Sequence, residues 1–132
     1  MNKEIHPFVK EHPLKAGIKY LILGTFPPAQ KLDSKKGRQF NVEYFYGNVA
    51  SFWKIIKEIY PNNNFTDVDS IIKWQNEYSI GISDTILSCK RKKQDSSKDS
   101  DLIVEWIDFN HELKAYVLEN ENFIEKITLL MS

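Results

Sequence analysis

Two acids, Asp33 and Asp84, and four consecutive cations, Lys90, Arg91, Lys92 and Lys93, fall near the ends of predicted strands. A carboxylate at such a position can take a proton or orient water. A group of cations can contact phosphate oxygens. Each feature also has an ordinary explanation, because acids often cap helices and a charged run is usually a solvated loop. The elements that position these residues therefore decide what chemistry they can do.

The central element is predicted to be a short buried strand at residues 20–23. Its apolar run has no polar alternation, which is typical of a strand buried on both faces of an α/β sheet. Gly24 ends the run, and the prolines of Thr25-Phe26-Pro27-Pro28 remove two backbone donors from any continuing ladder. Open α/β sheets bind ligands at the carboxyl ends of their strands, so this turn is expected to line a site. A plain exit from strand to loop is the alternative.

Two helices are predicted before the next strand, at residues 51–60 and 65–78. In the first, Ser51 or Asn48 can cap the amino end, and an apolar stripe at helical spacing predicts the buried face. The stripe consists of Phe52, Ile55, Ile56 and Ile59. In the second, Thr66 or Asp67 begins the helix. Its predicted inward residues are Val68, Ile71, Ile72 and Trp74.

Residues 79–87 predict a short buried strand, parallel to the first because the connection between them is helical. Its carboxyl end is expected at the same edge as Gly24. Residues 102–118 predict a third helix, with an interruption at residues 109–111 left open. Its predicted buried positions are Ile103, Ile107, Leu113 and Val117. Residues 124–131 predict a third strand. Together these elements predict a three-layer α/β/α domain with a short parallel sheet.

Composition limits the classes of function. The 132 residues with 42% hydrophobic content are typical of a single domain with its own core. A formal net charge of zero means that any nucleic-acid binding must come from a local patch. The single cysteine, Cys89, excludes an internal disulfide and a cysteine-based metal site. No apolar leader or membrane-length run is present, which favours a soluble cytoplasmic protein without a membrane partner.

Two other features could mark binding sites. The His6-Pro7 and His12-Pro13 dipeptides predict an extended lead-in, and paired histidines suggest a metal. A metal site needs three or four ligands, and no third one follows at a fixed spacing, so neither a metal nor another cofactor is predicted. The polar, basic residues 31–38 predict an exposed loop, which either holds phosphate or is simply solvated.

Short motifs follow one another in a distinctive order along nearly the whole chain. They are Leu21-Ile22-Leu23-Gly24-Thr25-Phe26-Pro27-Pro28; Phe45-Tyr46-Gly47-Asn48 followed by Phe52-Trp53-Lys54-Ile55; Gly81-Ile82-Ser83-Asp84 with Ser88-Cys89-Lys90-Arg91 and Lys98-Asp99-Ser100; and Asp108-Phe109-Asn110 with Ile127-Thr128-Leu129-Leu130. In order and spacing they resemble the uracil-DNA glycosylase superfamily, most closely its hypoxanthine (deoxyinosine) and mismatch-specific uracil glycosylase branches.

The resemblance implies hydrolysis of the N-glycosidic bond of a deaminated base, uracil or hypoxanthine, that has been rotated out of DNA. Asn48 is then the catalytic candidate, since an amide can bind the base edge or orient water. The implied base pocket consists of Gly24, Thr25, Phe26, Pro27, Pro28, Tyr46 and Gly47, with Phe26 or Tyr46 stacking on the base. Backbone N–H groups near Gly24 and Thr25 would stabilise the leaving base. The implied DNA contacts are Lys90, Arg91, Lys92, Lys93 and Ser100.

Departures from the family pattern favour a second hypothesis. Phe26 stands where several branches carry Asn or Asp, and Thr25 stands where another has Glu. The last family motif, a His-Pro-Ser-like loop after a fourth strand, would lie beyond Ser132, so the domain is expected to be incomplete there. A catalytically inactive or truncated domain with weak or absent nucleic-acid binding is the alternative. An unrelated small-molecule site at the same strand ends is a third. An exposed sheet edge would favour homo-oligomers.

Overall fold

The structure is a computed structural model that describes residues 3–27, 42–47, 52–92, 102–120 and 124–129. Within these ranges the chain forms an α/β fold of three helices and two small sheets. The strands are β1 (Glu4–Ile5), β2 (Tyr20–Gly24), β3 (Ile80–Asp84), β4 (Ile86–Cys89), β5 (Asp108–Phe109) and β6 (Lys126–Leu129). The helices are α1 (Phe52–Ile59), α2 (Val68–Tyr78) and α3 (His111–Asn120), and Val104–Trp106 forms one 3₁₀ turn.

The first sheet is parallel, in the order β3-β2-β6. The pairing of β2 with β3 runs from Tyr20 opposite Ile80 to Gly24 opposite Asp84. The other edge of β2 pairs with β6. The sequence-based predictions of a central strand at residues 20–23, of a parallel partner and of a third strand after residue 124 are therefore confirmed. Gly24 and Asp84 end their strands side by side, as the helical connection requires.

Alternating side chains of β2 enter two different cores, because successive residues of a strand point to opposite faces. Leu21 and Leu23 pack with Leu113 of α3. Ile22 faces the opposite core, where the buried members include Trp53, Trp74 and Ile82. Helix α3 thus covers one face of the sheet, and α1 and α2 cover the other. The central position of β2 is fixed by apolar burial on both sides.

Helix α1 buries only part of the apolar stripe that the sequence predicts, since Phe52 and Ile56 pack partly buried against the core that contains Trp53. Trp53 is completely buried, whereas the side chains of Ile55 and Ile59 are 53% and 61% exposed. The Trp53 ring stacks on Phe65 with centroids 5.6 Å apart, and its indole N–H donates to the Phe45 carbonyl at 3.0 Å. A buried tryptophan offers more apolar area than an isoleucine and needs a partner for its N–H, so it determines the orientation of the helix.

Helix α2 matches its prediction closely. Asp67 caps the amino end by accepting from the Ser70 backbone N–H at 2.8 Å. Ile71 and Trp74 are buried, and Val68 and Ile72 are partly buried against the same core. The helix ends at Ser79, which adopts a left-handed conformation with φ of 57°. This residue turns the chain directly into β3.

A second, antiparallel sheet in the order β1-β4-β5 was absent from the sequence-based expectation. The prediction of one strand at residues 79–87 is wrong. A bend at Thr85 separates β3 from β4, and β4 leaves the parallel sheet to pair with β1 and β5. The prediction of a helix from residue 102 is also wrong up to residue 110, where the 3₁₀ turn and β5 lie. Helix α3 begins at His111, so residues 109–111 lie before and at the start of the helix and do not interrupt one, and Leu113 is buried as predicted.

In the part of the chain that the structure describes, no helix has both the length and the apolar character needed to cross a bilayer.

Candidate functional site

The candidate site lies at the carboxyl ends of β2 and β3, where Gly24 faces Asp84. A β-carbon on Gly24 would lie 2.5 Å from Asp84 Oδ1 and 2.6 Å from the Tyr46 hydroxyl oxygen. Both distances are shorter than real carbon–oxygen contacts, so residue 24 must be glycine for these oxygens to approach the backbone. The strand-end glycine therefore brings a carboxylate and a phenol to one point.

Asp84 and His6 form a buried pair across 78 residues of sequence. His6 Nε2 lies 2.5 Å from Asp84 Oδ2, and both side chains are almost completely buried. The other ring nitrogen, Nδ1, accepts the backbone N–H groups of Phe8 at 3.0 Å and Val9 at 3.2 Å. Since Nδ1 accepts two donors, the ring proton lies on Nε2 and is donated to Asp84. The N-terminal segment thus fixes both the imidazole tautomer and the carboxylate rotamer.

Tyr46 brings an unpartnered hydroxyl to the same point. Its backbone has φ of 60°, an uncommon conformation for a residue with a side chain, and its ring stacks on Phe52 with centroids 4.3 Å apart. The hydroxyl is buried and has no hydrogen-bond partner among the described residues. Burial raises the pKa of Tyr46, and the nearby Asp84 carboxylate raises it further. A buried donor without a partner is uncommon, and the Trp74 indole N–H in the core is the other one among the described residues.

Replacing Tyr46 with Phe is expected to stabilise the fold by about 1 kcal/mol, because it removes a buried polar group that has no partner. Chemical denaturation of both proteins measures the difference. Tyr44→Phe is the matched control, since the buried Tyr44 hydroxyl donates to Gln75 Oε1 at 2.6 Å. That change should destabilise the fold by a similar amount. Equal losses of stability in both variants would mean that the Tyr46 hydroxyl is satisfied in solution.

Asn110 supports the end of β3. Its Nδ2 donates to the Asp84 carbonyl oxygen at 3.1 Å, and its Oδ1 accepts the Leu113 N–H at 3.2 Å, so the same amide caps α3. Ser83 and Asn110 also line a cavity of about 170 Å³ beside α3. A cavity of about 330 Å³ lies along the amino half of β3, around residues 79–82, and neither Gly24 nor Asp84 lines it. Neither of these two cavities is lined by Gly24, Asp84, His6 or Tyr46, and the smaller one reaches the strand end only through Ser83 and Asn110.

Phe26 and Arg91 are buried, whereas their predicted roles, stacking on a base and contacting DNA phosphate, require accessible side chains. Phe26 is 5% exposed and packs with Ile86, Cys89 and Leu102, so its ring is covered by protein. Arg91 is also buried. Its Nε donates to Glu4 Oε2 at 2.7 Å, and its Nη2 donates to the Pro27 carbonyl oxygen. The prediction that Arg91 lies exposed and contacts DNA is therefore wrong. Its side chain instead holds the turn after β2 to the N-terminal strand.

Some of the remaining predicted residues lie in the described part of the chain, and the others lie outside it. Gly47 is required where it stands, because a β-carbon there would lie 1.7 Å from the Val42 carbonyl oxygen. Lys92 is exposed, and the Lys90 ammonium lies 3.6 Å above the Trp106 ring. Thr25 and Pro27 form the turn itself, where the Thr25 carbonyl accepts the Ile86 N–H at 3.1 Å. Outside the described residues lie Pro28, Asp33, Asn48, Ser51, Lys93 and Ser100.

The two histidines that suggested a metal have separate roles. Both ring nitrogens of His6 are engaged as described above. The His12 ring packs edge-on against Tyr44 with centroids 4.9 Å apart. Within the described ranges, no group of three or more His, Cys, Asp or Glu side chains is arranged to hold a metal ion.

Sequence reasoning missed the role of His6 as a partner of Asp84, the bridging amide of Asn110 and the inward position of Arg91. Neither spacing nor periodicity connects residues 6 and 84. Their contact depends on β1 pairing with β4, with Glu4 opposite Cys89 and Ile5 opposite Ser88. The short β1 has too few residues to show an alternating pattern, so this pairing leaves no local signal.

Fold and site together define an α/β domain with a buried carboxylate–imidazole pair at the carboxyl edge of its parallel sheet. Comparison of the chain with protein-family models, with curated proteins and with solved structures gives no match.

Proposed function

We propose that this chain is a DNA glycosylase-like hydrolase with the architecture of the uracil-DNA glycosylase superfamily. Its substrate would be a deaminated base, uracil or hypoxanthine, turned out of DNA. The observation that carries the proposal is the juxtaposition of Asp84, paired with His6, and the unpartnered Tyr46 hydroxyl at Gly24. This edge of an α/β sheet is where ligands bind, and the glycine turn after β2 is the first motif on which the family resemblance rests.

The proposed chemistry assigns a separate task to each side chain. Asp84 accepts a hydrogen bond from the attacking water as positive charge develops on the sugar, and His6 holds its other oxygen in place. Tyr46 is a donor toward a carbonyl oxygen of the base. Asn48, assigned by the resemblance, contacts the base edge or the water. The leaving base takes the bonding electron pair and then a proton from solvent, while the attacking water adds its oxygen and one hydrogen to the sugar and gives its other proton to Asp84.

Single-turnover release of the base from duplex and single-stranded DNA tests the proposal. The substrates contain uracil, hypoxanthine or xanthine. Asp84→Asn keeps the size of the side chain and lets His6 donate to an amide oxygen, so its fold should survive. Loss of the carboxylate is expected to slow release by about 10²- to 10⁴-fold, the usual contribution of a positioned base. Asn48→Ala should also slow release, while Glu58→Gln, on the exposed side of α1, should release base at the wild-type rate.

The inactive-domain alternative is favoured by one observation, the burial of Phe26 beneath Ile86, Cys89 and Leu102. A ring in that position cannot stack on a base unless the turn after β2 moves. Absence of release from a sample with a cooperative unfolding transition would support the alternative. Release that is equally fast in wild type and Asp84→Asn would also contradict the roles assigned here.

A further inference from the structure

Two aromatic side chains face solvent next to the candidate site. Trp106 in the 3₁₀ turn is 55% exposed, and Phe109 in β5 is 58% exposed. The other two tryptophans, Trp53 and Trp74, are 0% and 1% exposed. Two residues, Ile107 and Asp108, separate Trp106 from Phe109, so their Cα atoms lie within about 11 Å of each other. Two exposed aromatic rings this close in the chain offer flat apolar surface on which a planar ring can stack.

The charges around Trp106 favour an anionic partner. The Lys90 ammonium lies over one face of the indole, 3.6 Å from the ring centroid. Nearby acids are largely occupied, because Asp108 pairs with Lys3 at 3.3 Å and Glu4 with Arg91 at 2.7 Å. For Lys90 and Lys92 no ion pair is formed with the described residues, and Glu105 is the acid that remains exposed on the 3₁₀ turn. One partly exposed cation, Lys90, therefore lies against the ring, and the exposed Lys92 follows two residues later in the chain.

The backbone at Phe109 lies next to the carboxyl edge of the parallel sheet. Phe109 pairs with Ile86, two residues after Asp84. Asn110, the next residue, donates its side-chain N–H to the Asp84 carbonyl oxygen and its backbone N–H to the Thr85 carbonyl oxygen at 2.9 Å. A strand of nucleic acid that presented a base to Asp84 would have its neighbouring nucleotides close to Phe109 and Trp106.

We infer that Trp106 and Phe109 form a stacking platform for unpaired nucleotides of single-stranded DNA, with Lys90 and Lys92 contacting the phosphates. The inference deepens the proposed function and rests on it for the identity of the occupant. A base can stack on the indole face opposite Lys90, while the ammonium neutralises a neighbouring phosphate. A second copy of the chain is a poorer occupant, since a twofold contact would bring the lysines of both copies together.

Quenching of intrinsic fluorescence by an oligothymidylate tests the platform, because Trp106 is the exposed tryptophan of the three. Saturable quenching is expected with the oligonucleotide but not with inorganic polyphosphate, which has the charge without the bases. Binding is also measured by the anisotropy of a labelled oligothymidylate. Trp106→Ala should weaken binding about tenfold, the usual effect of removing one stacked ring, and Trp106→Phe should restore most of it.

The cation contribution has its own measurement. Lys90→Gln should reduce the slope of log affinity against log salt by about 0.7, the value for one phosphate contact on a single strand. The control is Ile59→Ala, which removes an equally exposed apolar side chain from α1 and should leave both affinity and slope unchanged. Anisotropy that is the same in wild type and Trp106→Ala would overturn the inference. Self-association that Trp106→Ala abolishes would assign the surface to a second copy instead.

Failure of this inference is separable from failure of the proposed function. Quenching without base release would contradict the glycosylase and leave the platform in place. Base release without quenching of Trp106 would contradict the platform alone.

Discussion

Replacing Asp84 with Ala is expected to destabilise the fold by roughly 3 kcal/mol, the larger of the two site effects on stability. The substitution leaves the His6 Nε2–H buried without an acceptor and removes a hydrogen bond to a charged group. Asp84→Asn should lose only about 1 kcal/mol, because the amide oxygen still accepts from His6. Urea unfolding of the three proteins, followed by circular dichroism, measures both differences.

The control for this comparison is Glu58→Ala on α1, which removes an exposed carboxylate and should change the free energy of unfolding by less than about 0.5 kcal/mol. If Asp84→Ala were no more destabilising than Glu58→Ala, water would replace the lost partner and the pair would be open to solvent. The contrast between Ala and Asn also matters for the activity assay, since only the Asn variant keeps a fold in which loss of catalysis can be interpreted.

The site was partly predictable from sequence because half of it depends on local patterns. The apolar run before Gly24 and the prolines after it set the end of β2, and the helical connection sets the direction of β3. Those two features are enough to bring Gly24 and Asp84 to one edge. His6 was not predictable in this role, since its position depends on β1 pairing with β4 far along the chain. A two-residue strand has no periodicity to detect.

The burial of the individual cations at residues 90–92 was less predictable, because it also depends on strand pairing. Lys90, Arg91 and Lys92 look alike in sequence, yet Arg91 turns inward to Glu4 and the Pro27 carbonyl while Lys92 faces solvent. Strand β4 ends at Cys89, and the antiparallel bridge from Arg91 to Leu102 continues the extended backbone beyond it. Alternation along extended backbone separates neighbouring cations onto opposite sides. A loop interpretation of the same residues could not have shown that difference.

Helix α1 gives the clearest conflict between pattern and packing, and a pair of substitutions tests it. Trp53→Ala is expected to destabilise the fold by about 3–5 kcal/mol, because a completely buried ring and its N–H bond to the Phe45 carbonyl are both lost. Ile59→Ala should change stability by less than about 1 kcal/mol, since that side chain is mostly exposed. The apolar stripe of the sequence predicts instead that Ile59 is buried and that its loss is costly.

Equilibrium unfolding of the two variants decides between these orientations of α1. The reason to expect the tryptophan to prevail is geometric, since its ring fits between Phe65, stacked at 5.6 Å, and Trp74, edge-on at 5.9 Å. An orientation that buried Ile59 would rotate the indole out of this cluster and remove a ring contact from both Phe65 and Trp74. A greater loss of stability in Ile59→Ala than in Trp53→Ala would show that the helix lies on its isoleucine face in solution.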